Sequence, residues 1–257
     1  MERYETWFPF TDFAAISPDT VLVFCFHHAG GTASAYRKWA DSNDRSIAFV
    51  PVELPGKGCR SDEAPCRDMQ ALTEQISRAA DRAADGRRYV LYGHSMGAAI
   101  AFKTAYTLES SFPSRPELLV VSGRHAPCIS IRDRYTTDMD DSMLVRELEL
   151  MGGTPREILE NKELLQFFLP RVKCDYQLNE SFVYRDEVLN IPIIAFAGSE
   201  DPDAGYQMLG GWDQVTACGV RKREFAGGHF FPFTLGPVYL AALRDEIGQA
   251  LRTSVRT

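Results

Sequence analysis

Gly93-His94-Ser95-Met96-Gly97 decides the reading of this chain. The pentapeptide follows Tyr89-Val90-Leu91-Tyr92, a β-branched and aromatic run suited to a strand, and precedes Ala98-Ala99-Ile100-Ala101-Phe102-Lys103-Thr104-Ala105, which favours a helix. A serine at the tip of such a strand-to-helix turn needs neighbouring chain to come very close. Glycines two before and two after it remove the Cβ atoms that would clash. The turn pushes the hydroxyl into a pocket, and the Met96 N–H at the helix start faces a developing oxyanion. A random chain of this length carries the pattern roughly one time in ten, so the flanking elements and the partner residues decide the matter.

A G-x-S-x-G at a strand-to-helix junction is the nucleophile elbow of the α/β-hydrolases, whose triad runs in chain order serine, acid, histidine. Of the five histidines, His27, His28, His94, His125 and His229, only His125 and His229 follow Ser95. A histidine that must also follow an acid on a later strand is His229. It lies in Phe225-Ala226-Gly227-Gly228-His229, where the strand Val220–Phe225 ends in two glycines. The acid is sought after Ile191–Ala197, a continuous apolar run that reads as a buried parallel strand and ends in Gly198-Ser199-Glu200-Asp201-Pro202-Asp203. Asp201 is the choice for holding the imidazole in one tautomer. Asp203, otherwise a helix cap, and Glu200, otherwise solvated, are the alternatives in range.

The loop after the first strong strand, Phe26-His27-His28-Ala29-Gly30-Gly31-Thr32, is where this fold finds its second oxyanion donor, here the Ala29 N–H. His28 precedes the serine and is out of order for the base, so it is expected to hydrogen-bond within the loop. The sequence leaves the orientation of His27 open.

Short apolar runs alternate with helical patterns, the signature of an α/β chain with a mostly parallel sheet flanked by helices. The predicted strands are 21–26, 47–52, 89–92, 118–122, 191–197 and 220–225, and the predicted helices 68–84, 96–108 and 238–251. One domain over residues 1–257 is expected, with an inserted helical lid at about 125–190. That insertion fills the long gap before Ile191, where Thr154-Pro155-Arg156-Glu157 reads as a capping box and Gly152-Gly153 ends the preceding helix. Apolar residues such as Leu144, Leu148, Met151, Ile158, Leu165 and Phe168 give the lid its own core and line an acyl pocket over Ser95.

The 257 residues carry a net charge of −7, which argues against nucleic acid as a partner. The N-terminus shows no signal-peptide pattern, and the run Val21–Phe26 is far too short to span a membrane. The six cysteines form no C-x-x-C pair and no metal-ligand spacing, so a reducing cytoplasm is the simplest home. Cys25, within a strand pattern, reads as a buried small hydrophobe. No P-loop, dinucleotide fingerprint, metal site or need for a cofactor is read here.

Several segments in series resemble the type II thioesterases, the free-standing editing enzymes of polyketide and nonribosomal peptide assembly lines. They are Phe24-Cys25-Phe26-His27-His28-Ala29-Gly30-Gly31, Leu54-Pro55-Gly56-Lys57-Gly58-Cys59-Arg60, the elbow, Ser122-Gly123-Arg124, Gly152-Gly153-Thr154-Pro155, Leu169-Pro170, Asp175-Tyr176 and Gly227-Gly228-His229-Phe230-Phe231. The resemblance implies hydrolysis of acyl or aminoacyl thioesters from the phosphopantetheine arm of acyl or peptidyl carrier proteins, and a monomer is expected. His27 stands where the family usually has proline, and Lys57 where arginine is common. A carboxylesterase or lipase on free esters shares the same triad, and a catalytically silent binding protein is the remaining alternative. Residues 129–185 hold eight basic against eleven acidic side chains, so general charge attraction is not expected to recruit an acidic carrier. Lys57, Arg60, Arg124, Arg132 and Arg134 are expected nearest the pocket mouth.

Overall fold

Six parallel strands carry the apolar runs: β1 (Val21–Phe26), β2 (Ile47–Pro51), β3 (Tyr89–His94), β4 (Leu118–Ser122), β5 (Ile193–Gly198) and β6 (Val220–Phe225). The structure, a computed structural model, describes residues 4–130 and 136–254. The sheet order is β2-β1-β3-β4-β5-β6, so the winding direction reverses between β1 and β3. Ligand sites of open α/β sheets form beyond the carboxyl ends of the strands at such a reversal. There Phe26 pairs with Gly93, which sets the chain leaving β1 beside the chain leaving β3. Strand ends shift by one or two residues from the expected spans, and two of the shifts have a plain cause. β5 starts at Ile193 because Pro192 has no N–H to give the ladder, and β3 continues through His94 into the elbow.

Alternate residues of the strands feed two cores. Leu22, Phe24, Phe26 and Leu91 pack on one face of the sheet, whereas Val21, Val23, Cys25, Val90 and Tyr92 pack on the other. The helices are α1 (Arg37–Ala40), α2 (Met69–Ala84), α3 (Met96–Ser111), α4 (Asp141–Met151), α5 (Arg156–Leu159), α6 (Lys162–Glu180), α7 (Phe231–Thr234) and α8 (Pro237–Ser254). Asp68 is the cap of α2 rather than its first residue, its carboxylate accepting from the Ala71 N–H at 2.7 Å. Helix α3 is buried almost all round, between the sheet and α2. Tyr239, Leu243 and Ile247 of α8 cover the opposite face with Tyr36 and Trp39. The edge strand β6 is solvated, with Arg221, Arg223 and Glu224 exposed, and charged side chains of this kind discourage strand addition at an open edge.

Helices α4, α5 and α6 lie between β4 and β5. Leu144, Leu148, Leu169 and Val172 make a small core of their own, while Leu150 and Phe167 face solvent. Gly152 ends α4 in the left-handed conformation, as expected. The Thr154 capping box does not form. Pro155 itself takes the N-cap position with extended backbone, no side chain caps the turn, and α5 is one turn long.

Candidate active site

The elbow is strained where the chemistry would occur. Ser95 has φ 56° and ψ −120°, outside the regions open to most side chains, and its N–H donates to the Ser122 carbonyl at 2.9 Å. A Cβ on Gly93 would stand 2.1 Å from the Gly97 carbonyl oxygen, and one on Gly97 2.1 Å from the Phe26 carbonyl oxygen. Both glycines are therefore demanded by the close approach of β1, β3 and α3. Met96 opens the sixteen-residue α3, whose amino end favours negative charge.

The loops after β5 and β6 are tied together. Ser199 N–H donates to the Phe225 carbonyl at 2.8 Å and Glu200 N–H to the Gly227 carbonyl at 2.9 Å. The tie brings Asp201 to His229, whose Nδ1–H donates to Asp201 Oδ2 at 2.8 Å. The other carboxylate oxygen accepts from the N–H groups of Asp203 and Ala204 at 3.0 and 3.2 Å. Burial alone would raise the Asp201 carboxyl, but the His229 hydrogen bond and charge and the two N–H donors hold it below the usual carboxylate range. Of the alternatives, Glu200 is exposed, and Asp203 lines the cavity without meeting His229 Nδ1. Nor does Asp203 serve as a helix cap, because Gly205 takes the cap position of the next 3-10 turn.

Ser95, Ala29 and His229 all border a cavity with two lobes. A lobe of about 380 Å³ is lined by polar groups including Arg124, His125, Glu147, Asn179 and Asp203. A second, of about 200 Å³, is lined by Leu148, Met151, Pro155, Ile158, Phe168 and Phe230. Helices α4 to α6 thus supply walls to the space in front of Ser95.

The 27–33 loop is held by buried acids at two points. Gly30 N–H donates to Asp175 Oδ2 at 2.7 Å and Ala33 N–H to Glu53 Oε1 at 3.0 Å. His28 Nδ1–H donates to the Ala29 carbonyl at 2.9 Å, so His28 bonds within the loop as expected. His27 is fully buried, its Nδ1–H on the His28 carbonyl and its Nε2 without a partner. Burial above all, with the Lys57 charge added, lowers its imidazole to about 3. His94 is also buried, with Nδ1 3.2 Å from Ser122 Oγ and its ring 5.1 Å from that of His229. Burial and its histidine neighbours push it well below the usual range.

The expected basic mouth is corrected by burial. Lys57 is 6% exposed and ion-paired with Asp175 at 2.5 Å. Arg60 is 4% exposed, stacked on Trp7 and paired with Glu63. Arg124 lines the cavity and donates to Asn179 Oδ1 at 2.8 Å. Arg132 and Arg134 lie outside the described residues. The Lys57–Asp175 pair escaped the sequence reading. The only hint was a lysine between two glycines in Pro55-Gly56-Lys57-Gly58, where small neighbours permit tight packing.

A parallel sheet of this order, with a serine at the β3–α3 elbow and an aspartate and a histidine after β5 and β6, defines an α/β-hydrolase. The chain belongs to the thioesterase family: the family model for the Thioesterase domain matches residues 22–241. It is 34% identical over 212 residues to Thioesterase PikA5 of Streptomyces venezuelae, covering 82% of this chain and 75% of that one. It is likewise 34% identical over 215 residues to the gramicidin S biosynthesis protein GrsT of Aneurinibacillus migulanus, covering 81% and 82%. The solved structure of BorB, the type II thioesterase from the borrelidin biosynthetic cluster, superposes with a TM-score of 0.81 at 29% identity, covering 95% of this chain and 99% of that one. The resemblance to the type II thioesterases read from the sequence is borne out.

Proposed function

We propose that this enzyme hydrolyses acyl or aminoacyl thioesters carried on the phosphopantetheine arm of acyl or peptidyl carrier proteins, clearing stalled units from a polyketide or nonribosomal peptide assembly line. The observation that carries the reading is the shared cavity of Ser95 and His229, with Asp201 hydrogen-bonded to the far side of the imidazole. Ser95 Oγ attacks the thioester carbonyl as His229 Nε2 takes its proton. The N–H groups of Met96 and Ala29 stabilise the tetrahedral oxyanion. The C–S bond then breaks, and the thiol leaves with the proton from His229. Water, deprotonated by the same nitrogen, attacks the acyl-serine; the bond from the acyl carbon to Ser95 Oγ breaks, Oγ takes the proton back from His229, and the acid leaves. Helices α4 to α6 act as the lid over this cavity. The enzyme works as a monomer in a reducing cytoplasm, where its six cysteines remain free thiols.

The relatives support this substrate class: GrsT is named for gramicidin S biosynthesis, BorB is a type II thioesterase from the borrelidin biosynthetic cluster, and YbtT is one from the yersiniabactin NRPS/PKS biosynthetic pathway. The test compares hydrolysis of an acyl-carrier protein, the matching acyl-CoA and a p-nitrophenyl ester by wild type and by Ser95→Ala. Preference for the carrier thioester, abolished by Ser95→Ala in a folded protein, is expected. Preference for the free oxoester, or a fully active Ser95→Ala, overturns the reading.

A further inference from the structure

The buried Lys57–Asp175 pair joins three parts of the chain that are remote in sequence. Asp175 sits on α6, Lys57 in the segment after β2, and Gly30 in the loop after β1. Asp175 is 3% exposed, and one oxygen, Oδ2, takes both the Lys57 ammonium at 2.5 Å and the Gly30 N–H at 2.7 Å. Lys57 also donates to the Arg171 carbonyl at 3.4 Å, one turn earlier on α6. Gly30 has φ +78°, and a Cβ there would lie 3.4 Å from both Phe168 and Val172. Phe168, Val172 and Asp175 are spaced four and three residues apart, so one face of α6 rests directly on the loop.

The peptide so gripped joins Ala29 to Gly30, and its neighbour supplies the oxyanion-side N–H of Ala29. An acceptor on α6 therefore fixes the backbone that must aim that N–H. A donor displaced by a fraction of an ångström loses much of its effect on a transition state.

We propose that Asp175, held in place by Lys57, is a positioning residue that orients the Ala29 N–H through Gly30, so that the oxyanion hole is complete only when α6 is seated on the 27–33 loop. This inference rests on the proposed role of the Ala29 N–H. Burial holds the Asp175 carboxyl above the usual carboxylate range, although the Lys57 charge and hydrogen bond and the Gly30 N–H pull against it. Neither Lys57 nor Asp175 lines the cavity in front of Ser95. The effect of the pair passes through the loop, so turnover rather than binding should register its loss.

Two double variants isolate the acceptor from the charge. Lys57→Met with Asp175→Asn removes the ion pair but leaves an oxygen for the Gly30 N–H. Lys57→Met with Asp175→Leu removes that oxygen in a side chain of similar shape. Exchange of a buried ion pair for neutral side chains is commonly tolerated by folding. The Asn variant should keep kcat within about threefold of wild type. The Leu variant should lose roughly tenfold to a hundredfold in kcat, with KM within about twofold. Its affinity for a trifluoromethyl ketone analogue, which forms an oxyanion on Ser95, should fall by the same factor as kcat/KM. Equal kcat in the two double variants, or a loss confined to KM, overturns the proposal. Hydrogen exchange at the Gly30 amide of the unaltered enzyme tests it without a substitution: protection is expected, and exchange at the rate of an open loop overturns it. A wild-type enzyme inactive on every thioester would instead count against the proposed function.

Discussion

Asp201 Oδ2 accepts the Nδ1–H of His229 at 2.8 Å across 28 residues of chain, with its other oxygen occupied by two backbone N–H groups. In the proposed mechanism an ionised acid so held leaves His229 one tautomer, with Nε2 free of hydrogen to take the proton of Ser95. Asp201→Asn presents an amide that donates as readily as it accepts, and the imidazole turns or changes tautomer. We expect kcat to fall by about 10³ to 10⁴ with the fold kept. Asp203→Asn should cost less than about tenfold, since the carboxylate on His229 Nδ1 is that of Asp201. Steady-state kinetics on both variants checks the assignment, and the reverse ranking would move the acid to Asp203.

The elbow makes a sharper structural prediction. A methyl at Gly97 meets backbone, the Phe26 and His27 carbonyls, and backbone between two strands and a helix has little room to yield. Gly97→Ala should destabilise the protein by about 3 kcal/mol and reduce turnover at least about a hundredfold through a displaced Ser95. Gly210→Ala is the matched control, because a Cβ there touches nothing within 4 Å. Thermal melts and kinetics on the two variants decide it; a Gly97→Ala enzyme as stable and active as Gly210→Ala would contradict the geometry.

The sequence was informative where meaning is local or ordered along the chain. The elbow lies within five residues, and the order serine, acid, histidine left one histidine and a short choice of acids. Continuous apolar runs announced β1 to β5, each buried along its whole length, whereas β6 is the solvated edge strand. What could not be read depended on contacts remote in sequence. Lys57 looked like a surface cation because its acid lies 118 residues away on α6. The nineteen-residue α6 escaped outline because Pro170 falls in its middle, where the chain gives up one helical hydrogen bond and continues. The Thr154 box failed for a local reason, the extended backbone of Pro155.

His27 carries a pH signature. It is buried, its Nε2 has no partner, and its imidazole is lowered to about 3. In the unfolded chain a histidine gains its proton near pH ~6.5. The unfolded state therefore binds more protons than the native state between that value and about 3, and stability is lost as pH falls through this window. His27→Leu removes the contribution. Its stability relative to wild type should improve by about 2 kcal/mol on going from pH ~7 to pH ~5. Denaturant unfolding at the two pH values reads this directly, and parallel pH profiles for the two proteins would refute it.

A carrier should find this enzyme through local contacts rather than long-range charge. The chain is itself acidic at −7, and two of the five basic residues expected at the cavity mouth, Lys57 and Arg60, are buried in ion pairs. A third, Arg124, is committed to Asn179 inside the cavity. Long-range attraction of an acidic carrier therefore has little to act through. Raising ionic strength from about 0.01 to 0.15 M shortens the screening length from roughly 30 to 8 Å. Over that range kcat/KM for an acyl-carrier substrate should fall by less than about threefold, against the much steeper losses of electrostatically steered pairs. The carrier-bound acyl group should still be preferred over the same group on a short thiol, because protein contacts and the pantetheine arm add local binding. A steep loss of rate with salt would show that charge steers the encounter after all.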